Sequence, residues 1–545
     1  MKTIRRFAIT LALAAAAALP SRAQNNTYTQ GGILLASGSF TPLDMMRNAR
    51  NDYSFTTARV SAMGGAFTAL GGDLASLDIN PAGIGMSQHF VLGLSAGMTF
   101  SRGNNELASR TATSSRFTFN NAGMILPWVR SNNGRVCFNV GFSYNRTDDF
   151  NFGGNIRLPQ VQGGSLLNVF QLQLNGLYSG WKGISEQALK DDPFNNTDIF
   201  IDEWGAVLGY QSGLFQATGD GTYALNALPS NATFTPSLNY QSTGSVGEYN
   251  IAGGFNFSNV VYFGFDLGFQ SIAQNMWLSY TEEYTGTPSL NRMSYSQRIR
   301  ANGTSFNIKL GAIIRPIPSL RIGIAYHSPN FTSLYKDYMA SMETLRPGQS
   351  TTSVFNTLQT TYLYEYQTPS RLLLGAAYTL GSRVALSFDY ERVWYNGMRY
   401  TSESYAVQES FRSEIRSLYR AANNFRVGVE VKPIPSIALR AGYAYYDSPI
   451  KERDEEGNPV IFNDIFTTSS HHVSAGVGFW LGPATTLDLT YVYSRYRVAP
   501  FGLYYYEGAA RLPEGTVNQV TFTPGDVPAG VLNRHSAILT LSFLF

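Results

Sequence analysis

Large apolar side chains alternate with small or polar ones along several stretches of this sequence, and this two-residue period constrains the fold more than any other feature. It runs through residues 90–100, 135–145 and 261–270, where Phe, Leu, Val, Met or Tyr occupy one face and mainly Gly, Ser, Thr, Asn or Asp the other. A barrel strand that crosses a membrane turns alternate side chains toward lipid and lumen, and it needs about 9–11 residues to cross. The period therefore predicts tilted, membrane-spanning strands.

The composition favours a membrane barrel over a soluble β-sandwich. Charged residues make up 14% of the chain, against roughly 25% in ordinary soluble proteins. No stretch after residue 23 reaches the roughly 18 apolar residues of a spanning helix. A sandwich could alternate in the same way, but its outer face would carry far more charge.

The net charge of +3 comes without basic runs, so we expect no nucleic-acid partner. The single cysteine, Cys137, excludes an intrachain disulfide.

The first residues have the pattern of a secretory signal. Basic residues at positions 2, 5 and 6 precede the apolar segment 7–19, and small residues occupy positions 21 and 23. The apolar segment is too short to span a bilayer. We therefore predict a signal peptide over residues 1–23 and export of a mature chain that begins at Gln24.

Short turns and long loops follow each other along the rest of the chain. The short turns, rich in Gly, Pro, Asn and Ser, lie at residues 131–134, 258–259, 315–319, 381–382, 433–436 and 482–483. The long segments are 101–115, 147–243, 275–300, 328–368, 393–423, 447–469 and 496–533. This asymmetry is typical of periplasmic turns and extracellular loops, and it predicts an all-β fold, a transmembrane antiparallel β-barrel of about 14 strands over residues 89–545.

The chain ends on an alternating strand. Apolar residues occupy every second position from Ala537 to Phe545. A terminal Phe on such a strand is the kind of signal that outer-membrane assembly machinery recognises, so we expect that machinery to be a partner. The predicted location is the outer membrane of a Gram-negative bacterium, as a monomer in contact with membrane lipids and lipopolysaccharide.

Residues 24–88 do not alternate. Paired glycines and an Asn-Pro step break this segment into short pieces, which is typical of helical turns and irregular structure. Because the segment precedes the first strand and is apolar in patches, we predict that it folds back into the lumen as a plug.

Two motifs of this segment resemble the hatch of the FadL/TodX family of outer-membrane transport proteins: the run Met63–Phe67 and the run Asn80–Gly83. Further matches are Gly247-Glu248-Tyr249, His327-Ser328-Pro329, Thr368-Pro369, Asp389-Tyr390-Glu391 and the turns with Arg-Pro or Lys-Pro. The resemblance implies a 14-stranded barrel with an N-terminal hatch that moves long-chain fatty acids or other hydrophobic compounds. It also implies lateral release through an opening in the wall. The second outer loop is unusually long for this family, so the substrate could differ.

The hatch offers candidate gating residues. Glycines allow tight backbone turns, and an Asn-Pro step fixes a kink that could close the floor of a pocket. The candidate hatch residues are Gly64, Gly65, Asn80, Pro81, Ala82 and Gly83.

Candidate ligand-binding residues lie in the second outer loop and in the lumen. The loop from 166 to 214 offers an apolar collecting surface with helical spacing at its start; the alternative is that these side chains only pack the loop onto the rim. The loop residues are Leu167, Phe170, Leu174, Leu177, Tyr178 and Trp181. Candidate partners for a substrate carboxylate are Arg321, Arg426 and Arg440.

An ion-pair network that fills the lumen is the alternative role for these arginines. Glu430 and Arg440 share a face and are predicted to lie opposite each other across the turn 433–436. The predicted lumenal charges are Arg135, Glu248, Asp266, Lys309, Arg321, Asp389, Glu391, Arg426, Glu430, Lys432, Arg440 and Asp488.

Three other functions compete with uptake of hydrophobic molecules. Residues 93–97 match a hydrolase nucleophile pattern, but they lie inside a strand rather than at a strand-turn-helix elbow. We therefore expect no enzyme, no catalytic residue, no metal and no cofactor.

A haem or porphyrin receptor would use His327, His471, His472 and His535, which we predict near the outer rim. The adjacent His471 and His472 point opposite ways on a strand, so they cannot both bind one iron without a bulge. A structural or secretion-associated barrel of the same family stays open as well.

Overall fold

The computed structural model describes residues 29–30, 38–50, 56–104, 112–130, 136–176, 182–219, 221–226, 228, 232–453, 461–462, 468–498, 501–502, 506–511, 517–522, 526–527 and 530–545. The predicted signal peptide and Arg135 lie outside these residues. No helix in the described residues has the length and apolar character needed to cross a membrane.

Antiparallel strands close into one barrel, because the first strand pairs with the last. The fold matches the predicted class, a 14-stranded barrel. The barrel strands are β1 (Val91–Asn104), β2 (Ala112–Arg130), β3 (Val136–Asp149, Phe152–Arg157 and Val161–Gln162), β4 (Thr233–Phe257), β5 (Val261–Thr285), β6 (Arg292–Ile317), β7 (Leu320–His327 and Phe331–Leu345), β8 (Ser353–Asn356, Thr360–Gln367 and Arg371–Leu380), β9 (Val384–Trp394 and Arg399–Thr401), β10 (Ala421–Ile434), β11 (Ile437–Tyr446), β12 (Ser470–Gly482), β13 (Thr485–Val498) and β14 (Gly530–Leu544).

Short helices accompany the barrel. They are α1 (Pro42–Arg47), α2 (Ala58–Ala62), α3 (Ser76–Ile79), α4 (Leu166–Leu174), α5 (Glu186–Lys190), α6 (Trp204–Gln211) and α7 (Tyr405–Leu418), with 3₁₀ turns at Pro81–Met86, Pro193–Asn195, Ile201–Glu203 and Tyr395–Gly397. Short strands outside the barrel are Thr29–Gln30, Phe215–Gly219, Thr222–Leu225, Ile461–Phe462, Phe501–Gly502, Tyr506–Arg511, Val517–Phe522 and Asp526–Val527.

The predicted alternation is confirmed along β5. Phe263, Phe265 and Phe269 are exposed on the outer surface, whereas Tyr262 and Asp266 are buried on the lumenal side. Burial in lipid is favourable for the outward aromatic side chains. The inward polar side chains can form hydrogen bonds and ion pairs in the lumen.

The short turns also have the expected geometry. At the hairpin between β4 and β5, Ser258 and Asn259 adopt positive φ angles of 54° and 58°. Two successive residues in this conformation match the right-handed twist of paired strands, which favours Asn and small polar residues there.

The predicted loops at 275–300 and 328–368 are wrong over most of their length. Strands β4, β5 and β6 contain 25, 25 and 26 residues, far more than the roughly 9–11 that cross the membrane. Beyond Phe269 the outward positions of β5 are mainly Ser, Ala, Asn and Thr. Beyond the membrane the outer face of a strand does not contact lipid, so the hydropathy no longer alternates there. The sequence therefore did not indicate these extracellular extensions.

The second outer loop folds into a compact cap on the extracellular extensions of β4–β7. We call the described residues between 150 and 232 the cap. Its buried core combines side chains of α4 and α6 with inward aromatic residues of the barrel: Leu166, Leu167, Val169, Phe170, Leu174, Trp204, Val207, Leu208, Tyr280, Tyr295 and Tyr338.

Candidate functional site: the plugged lumen

Inward-facing glycines form the surface on which residues 56–88, called the hatch below, lie. A Cβ on Gly375 would lie 2.8 Å from Thr68 Cβ, and a Cβ on Gly476 would lie 2.7 Å from Ala62 Cβ, both closer than real Cβ contacts. We call this set the glycine belt: Gly93, Gly141, Gly254, Gly264, Gly311, Gly323, Gly375, Gly428, Gly442 and Gly476. Because these positions lack side chains, the hatch backbone lies directly against the wall.

The belt lies close to the periplasmic turns. Gly264 faces Gly254 on one neighbouring strand and Gly311 on the other. Gly323 pairs in the same way with Gly375. Since these residues are only a few positions from their turns, the hatch fills the periplasmic end of the lumen.

Hydrogen bonds from the wall fix the hatch backbone. The amide N–H of Ala58 donates to Thr540 Oγ1 at 2.7 Å, and Asn139 Nδ2 donates to the carbonyl oxygen of Ile84 at 2.7 Å. Thr68 donates to Asp389 Oδ2 through its amide at 2.9 Å and through its hydroxyl at 2.7 Å. Each buried bond removes an unpaired polar group, which makes detachment of the hatch costly.

Two of the three predicted hatch glycines occupy a conformation that only glycine adopts easily. Gly64 and Gly65 have φ angles of 63° and 75°. At Gly83 a Cβ would lie 2.8 Å from Ser76 Cβ, so this position is glycine because two pieces of the hatch touch there.

The predicted Asn-Pro kink starts the 3₁₀ turn. The Asn80 carbonyl oxygen of the side chain accepts from the Ala82 amide at 3.2 Å, and its Nδ2 donates to the Thr68 carbonyl at 2.7 Å. Pro81 follows Asn80 as the first residue of the turn, and Ala82 is fully buried. Asn80 therefore joins two parts of the hatch.

Ion pairs join the hatch to the barrel at two places. In one, Lys309 contacts Asp78 of the hatch and Glu248 of β4, with Asp266 at 3.5 Å. All four side chains are buried, so removal of the lysine would leave buried carboxylates without a cation.

The second ion-pair cluster confirms the predicted juxtaposition of Glu430 and Arg440. Arg440 Nε lies 2.6 Å from Glu430 Oε2, and its Nη1 lies 2.5 Å from Asp488 Oδ1. Arg59 of the hatch contacts the same glutamate at 3.1 Å. Glu430 thus links the hatch to the lumenal wall.

The three candidate carboxylate partners all contact the hatch or the acids around it. Arg321 donates to the carbonyl of Leu70, and Arg426 pairs with Glu391 at 2.6 Å. Arg440 belongs to the cluster around Glu430. These arginines therefore anchor the hatch in this structure.

Helix α1 occupies an aromatic chamber above the hatch. The sequence did not indicate this chamber. The buried apolar residues of α1 and the residues that pack around them are called the upper lumenal cluster: Phe40, Met45, Met46, Phe150, Val246, Ile272, Ala301, Leu334, Tyr364, Tyr366, Met398, Ile415, Leu418, Tyr419 and Ile450. Phe40 stacks on Tyr364 with ring centroids 4.6 Å apart. The N-terminal segment thus fills the lumen on both sides of the glycine belt.

A lysine marks the polar edge of this chamber. Lys336, which is 5% exposed, donates to the carbonyl of Ser39 at 2.7 Å and lies 3.4 Å from Asp44 of α1. The sequence contained a usable signal for α1, because Thr41-Pro42 followed by Asp44 is a typical helix start. It contained no signal that α1 meets Lys336, which is almost three hundred residues away.

The wall is incompletely paired between β2 and β3. The last paired residues are Asn121 and Asn145, although β2 begins at Ala112 and β3 continues past Asn145. The strands on either side are also paired irregularly here. The register between β1 and β2 shifts between Ser95 and Ala96, and the register between β3 and β4 shifts between Arg146 and Asp148. We call this interruption the β2–β3 seam.

The histidines do not converge. His471 points outward and His472 inward, as predicted, and His472 contacts Ser494 at 2.8 Å. The predicted rim position of His327 is wrong, because its Nε2 lies 3.0 Å from the Ile79 carbonyl of the hatch. His327 lies low in the wall because its strand segment begins only a few residues earlier, at the periplasmic turn. The described residues contain no cluster of three potential metal ligands.

The predicted collecting surface is wrong for its described residues. Leu167, Phe170 and Leu174 lie on α4 and are at most 1% exposed, because the helix packs its apolar face into the cap. Leu177, Tyr178 and Trp181 lie outside the described residues. The hydrolase-like pattern lies in β1, where the Ser95 hydroxyl contacts Thr540 Oγ1 at 2.8 Å.

Solved barrels of similar architecture come from several bacteria, whereas no curated protein sequence matches this chain. A FadL homologue of Pseudomonas aeruginosa is 11% identical over 90% of this chain and 98% of its own, with a TM-score of 0.48. The toluene transporter TbuX of Ralstonia pickettii is 15% identical over 91% and 99%, with a TM-score of 0.45. The toluene transporter TodX of Pseudomonas putida is 12% identical over 89% and 97%, with a TM-score of 0.44.

Part of the sequence matches a family model. Residues 241–502, from within β4 to just beyond β13, match the outer membrane transport proteins of the OMPP1/FadL/TodX group. The closed barrel places the chain in the outer membrane. Over this part of the chain the sequence therefore matches the FadL/TodX family of outer membrane transport proteins.

Proposed function

We propose that this chain is a passive channel for hydrophobic small molecules, and that its preferred substrates are long-chain fatty acids. The upper lumenal cluster is the observation that carries this proposal. Binding sites for such molecules are mostly apolar, with a few polar groups that fix orientation. The chamber around α1 has this composition, with tyrosines and aliphatic residues on its walls and Lys336 at its edge.

Helix α1 makes the contacts that a fatty acid would make. Phe40, Met45 and Met46 bury apolar surface in the chamber, while Asp44 places a carboxylate near Lys336. A molecule with one carboxylate and a long apolar chain could replace both sets of contacts at once. We infer that the substrate displaces α1 and that Lys336 binds its carboxylate.

Passage below the chamber needs a route past the hatch. The hatch is held by the glycine belt and by buried ion pairs, so a through-route requires that part of it detaches. The β2–β3 seam offers a route that needs only a local movement of the hatch, because in their described residues these two strands are not paired beyond Asn121 and Asn145. We propose lateral release into the membrane at this seam, with the hatch gating access from the chamber.

Uptake of labelled oleate by cells that lack their own fatty-acid channel tests the proposal. Expression of this chain should restore uptake, and Lys336→Met should lower it roughly 10-fold or more, since a charge-assisted hydrogen bond contributes about 1.5–3 kcal/mol. Uptake of the uncharged alcohol of the same chain length should change little in the variant.

Lys432→Met is the matched control, because Lys432 lies beside Glu430 near a periplasmic turn and away from the chamber. Oleate uptake no greater than in cells with an empty vector would contradict the channel function. Equal oleate uptake by the wild type and the Lys336 variant would contradict the assigned carboxylate partner alone.

A further inference from the structure

The outer surface of five adjacent strands changes from aliphatic to cationic within a few residues. Strands β11, β12, β13, β14 and β1 are paired in that order. Because paired residues lie side by side, outward residues form continuous rows that run perpendicular to these strands. The lower row is Leu439, Val477, Leu489, Leu539 and Ala96; the next is Ala441, Ala475, Tyr491, Ala537 and Met98; the next is Tyr443, Val473, Tyr493, His535 and Phe100.

The row above these is positively charged, and we call it the arginine row. It contains Tyr445, His471, Arg495, Asn533 and Arg102. Arg497 follows on the same face of β13, and all three guanidinium groups are exposed. Within the described part of the chain, no ion pair joins them to a carboxylate.

The height of the arginine row matches the outer edge of the hydrocarbon layer. A tilted strand rises about 2.5 Å per residue along the barrel axis. Arg102 lies 11 residues beyond Val91, and therefore about 28 Å above the periplasmic edge. The apolar band of such barrels is roughly 25 Å tall, so Arg102 lies at the level of the outer lipid headgroups. Arg495, 10 residues beyond Thr485 at the periplasmic end of β13, lies at nearly the same height.

Two tyrosine–histidine pairs, one reaching up to the row and one below it, support this level. Tyr443 OH lies 2.8 Å from His471 Nδ1, and Tyr491 OH lies 2.5 Å from His535 Nδ1. Amphipathic aromatic side chains concentrate where hydrocarbon meets polar headgroups. The surface thus combines acyl-chain contacts below with unpaired cations above.

We propose that the arginine row, with Arg497, binds the phosphorylated disaccharide of a lipid A molecule in the outer leaflet. Guanidinium groups bind phosphate through paired hydrogen bonds. Arg102 and Arg495 lie on strands separated only by β14, so they are about 10 Å apart and can contact one headgroup together. The acyl chains of that molecule lie along the aliphatic rows.

Native mass spectrometry of the whole barrel in detergent, titrated with bisphosphorylated lipid A, tests this site. The triple variant R102Q/R495Q/R497Q should bind lipid A about 100-fold more weakly, from a contribution of roughly fivefold per cation. R300Q is the matched control, because Arg300 is also an exposed outward arginine, but it lies opposite Asp337 on β7. Heat-modifiable migration on gels shows that each variant is folded.

The outcomes separate lipid A from other anions. Stronger binding of bisphosphorylated lipid A than of its dephosphorylated form, with loss in the triple variant only, supports the proposal. Wild-type affinity in the triple variant overturns it. Equal binding of phosphatidylglycerol, or displacement of lipid A by millimolar inorganic phosphate, overturns the assignment to lipid A and leaves a general anion site.

Discussion

Alanine at two positions of the glycine belt tests whether close packing holds the hatch in place. A Cβ on Gly428 would lie 2.5 Å from the carbonyl oxygen of Met63, and one on Gly442 would overlap the amide nitrogen of Gly64. Ordinary contact begins at 3.4 Å. In the variant G428A/G442A the hatch must therefore retreat by about 0.9 Å at Met63 and by about 1.3 Å at Gly64, whose amide nitrogen would lie 2.1 Å from the new Cβ.

The retreat breaks specific hydrogen bonds. The Gly64 amide donates to Ser474 Oγ at 3.2 Å, and the Ser474 hydroxyl donates to the Ala62 carbonyl at 2.9 Å. Both exceed hydrogen-bond distance after such a shift, at about 1 kcal/mol each, and overpacking adds about 1–3 kcal/mol. A total of roughly 3 kcal/mol raises the detached fraction of the hatch about 100-fold.

Hydrogen exchange of the hatch amides in the folded barrel measures this fraction. Exchange at Ala58–Leu70 should accelerate in G428A/G442A, and proteoliposomes should leak small sugars faster. G482A is the control, because a Cβ on Gly482 meets nothing within 4 Å. Wild-type exchange rates in the double variant, in barrels that remain folded, would refute the reasoning.

Two further perturbations address gating and the cap. The Cβ positions of residues 62 and 476 would lie 2.7 Å apart, so a disulfide between A62C and G476C, in a C137S background, should form after a local separation of about 1 Å to the usual spacing of about 3.8 Å. It should abolish uptake until a reductant is added; undiminished uptake in the oxidised variant would contradict hatch gating. In the cap, burial raises the pKa of Glu203 to about 7 from a usual 4.5, against the opposing hydrogen bond from the Phe200 amide. Since the folded-state pKa is the higher one, Glu203 stabilises the cap when protonated, and this contribution disappears as the pH rises from about 4.5 to about 7. Limited proteolysis of the cap should be faster at about pH 8 than at about pH 5, and E203Q should remove the difference; equal cleavage of the wild type at both pH values would show the sign to be wrong.

Local patterns in the sequence determined the elements of the barrel. The two-residue period gave the strands in contact with lipid, since lipid on one side and a polar lumen on the other impose it directly. Turn residues gave the connections, including Ser258–Asn259. The pair Glu430 and Arg440 was predictable because a short turn fixes which residues of a hairpin face each other.

Extended strands and buried loop residues show where local patterns lose their meaning. Strands β4–β6 continue beyond the membrane, where both faces are polar or packed and the period disappears. Leu167 and Phe170 are apolar and helical in spacing, a pattern that fits an exposed collecting surface and a packed core equally well. Only the position of the cap on the barrel decided that they are buried.

Contacts between distant parts of the chain required the closed barrel. The belt glycines come from ten strands and form one surface only when every strand has its register. Asp44 and Lys336 meet because α1 is threaded into the lumen, and the arginine row exists because β14 joins β1. Such neighbours arise from tertiary closure, and no periodicity along the chain encodes them.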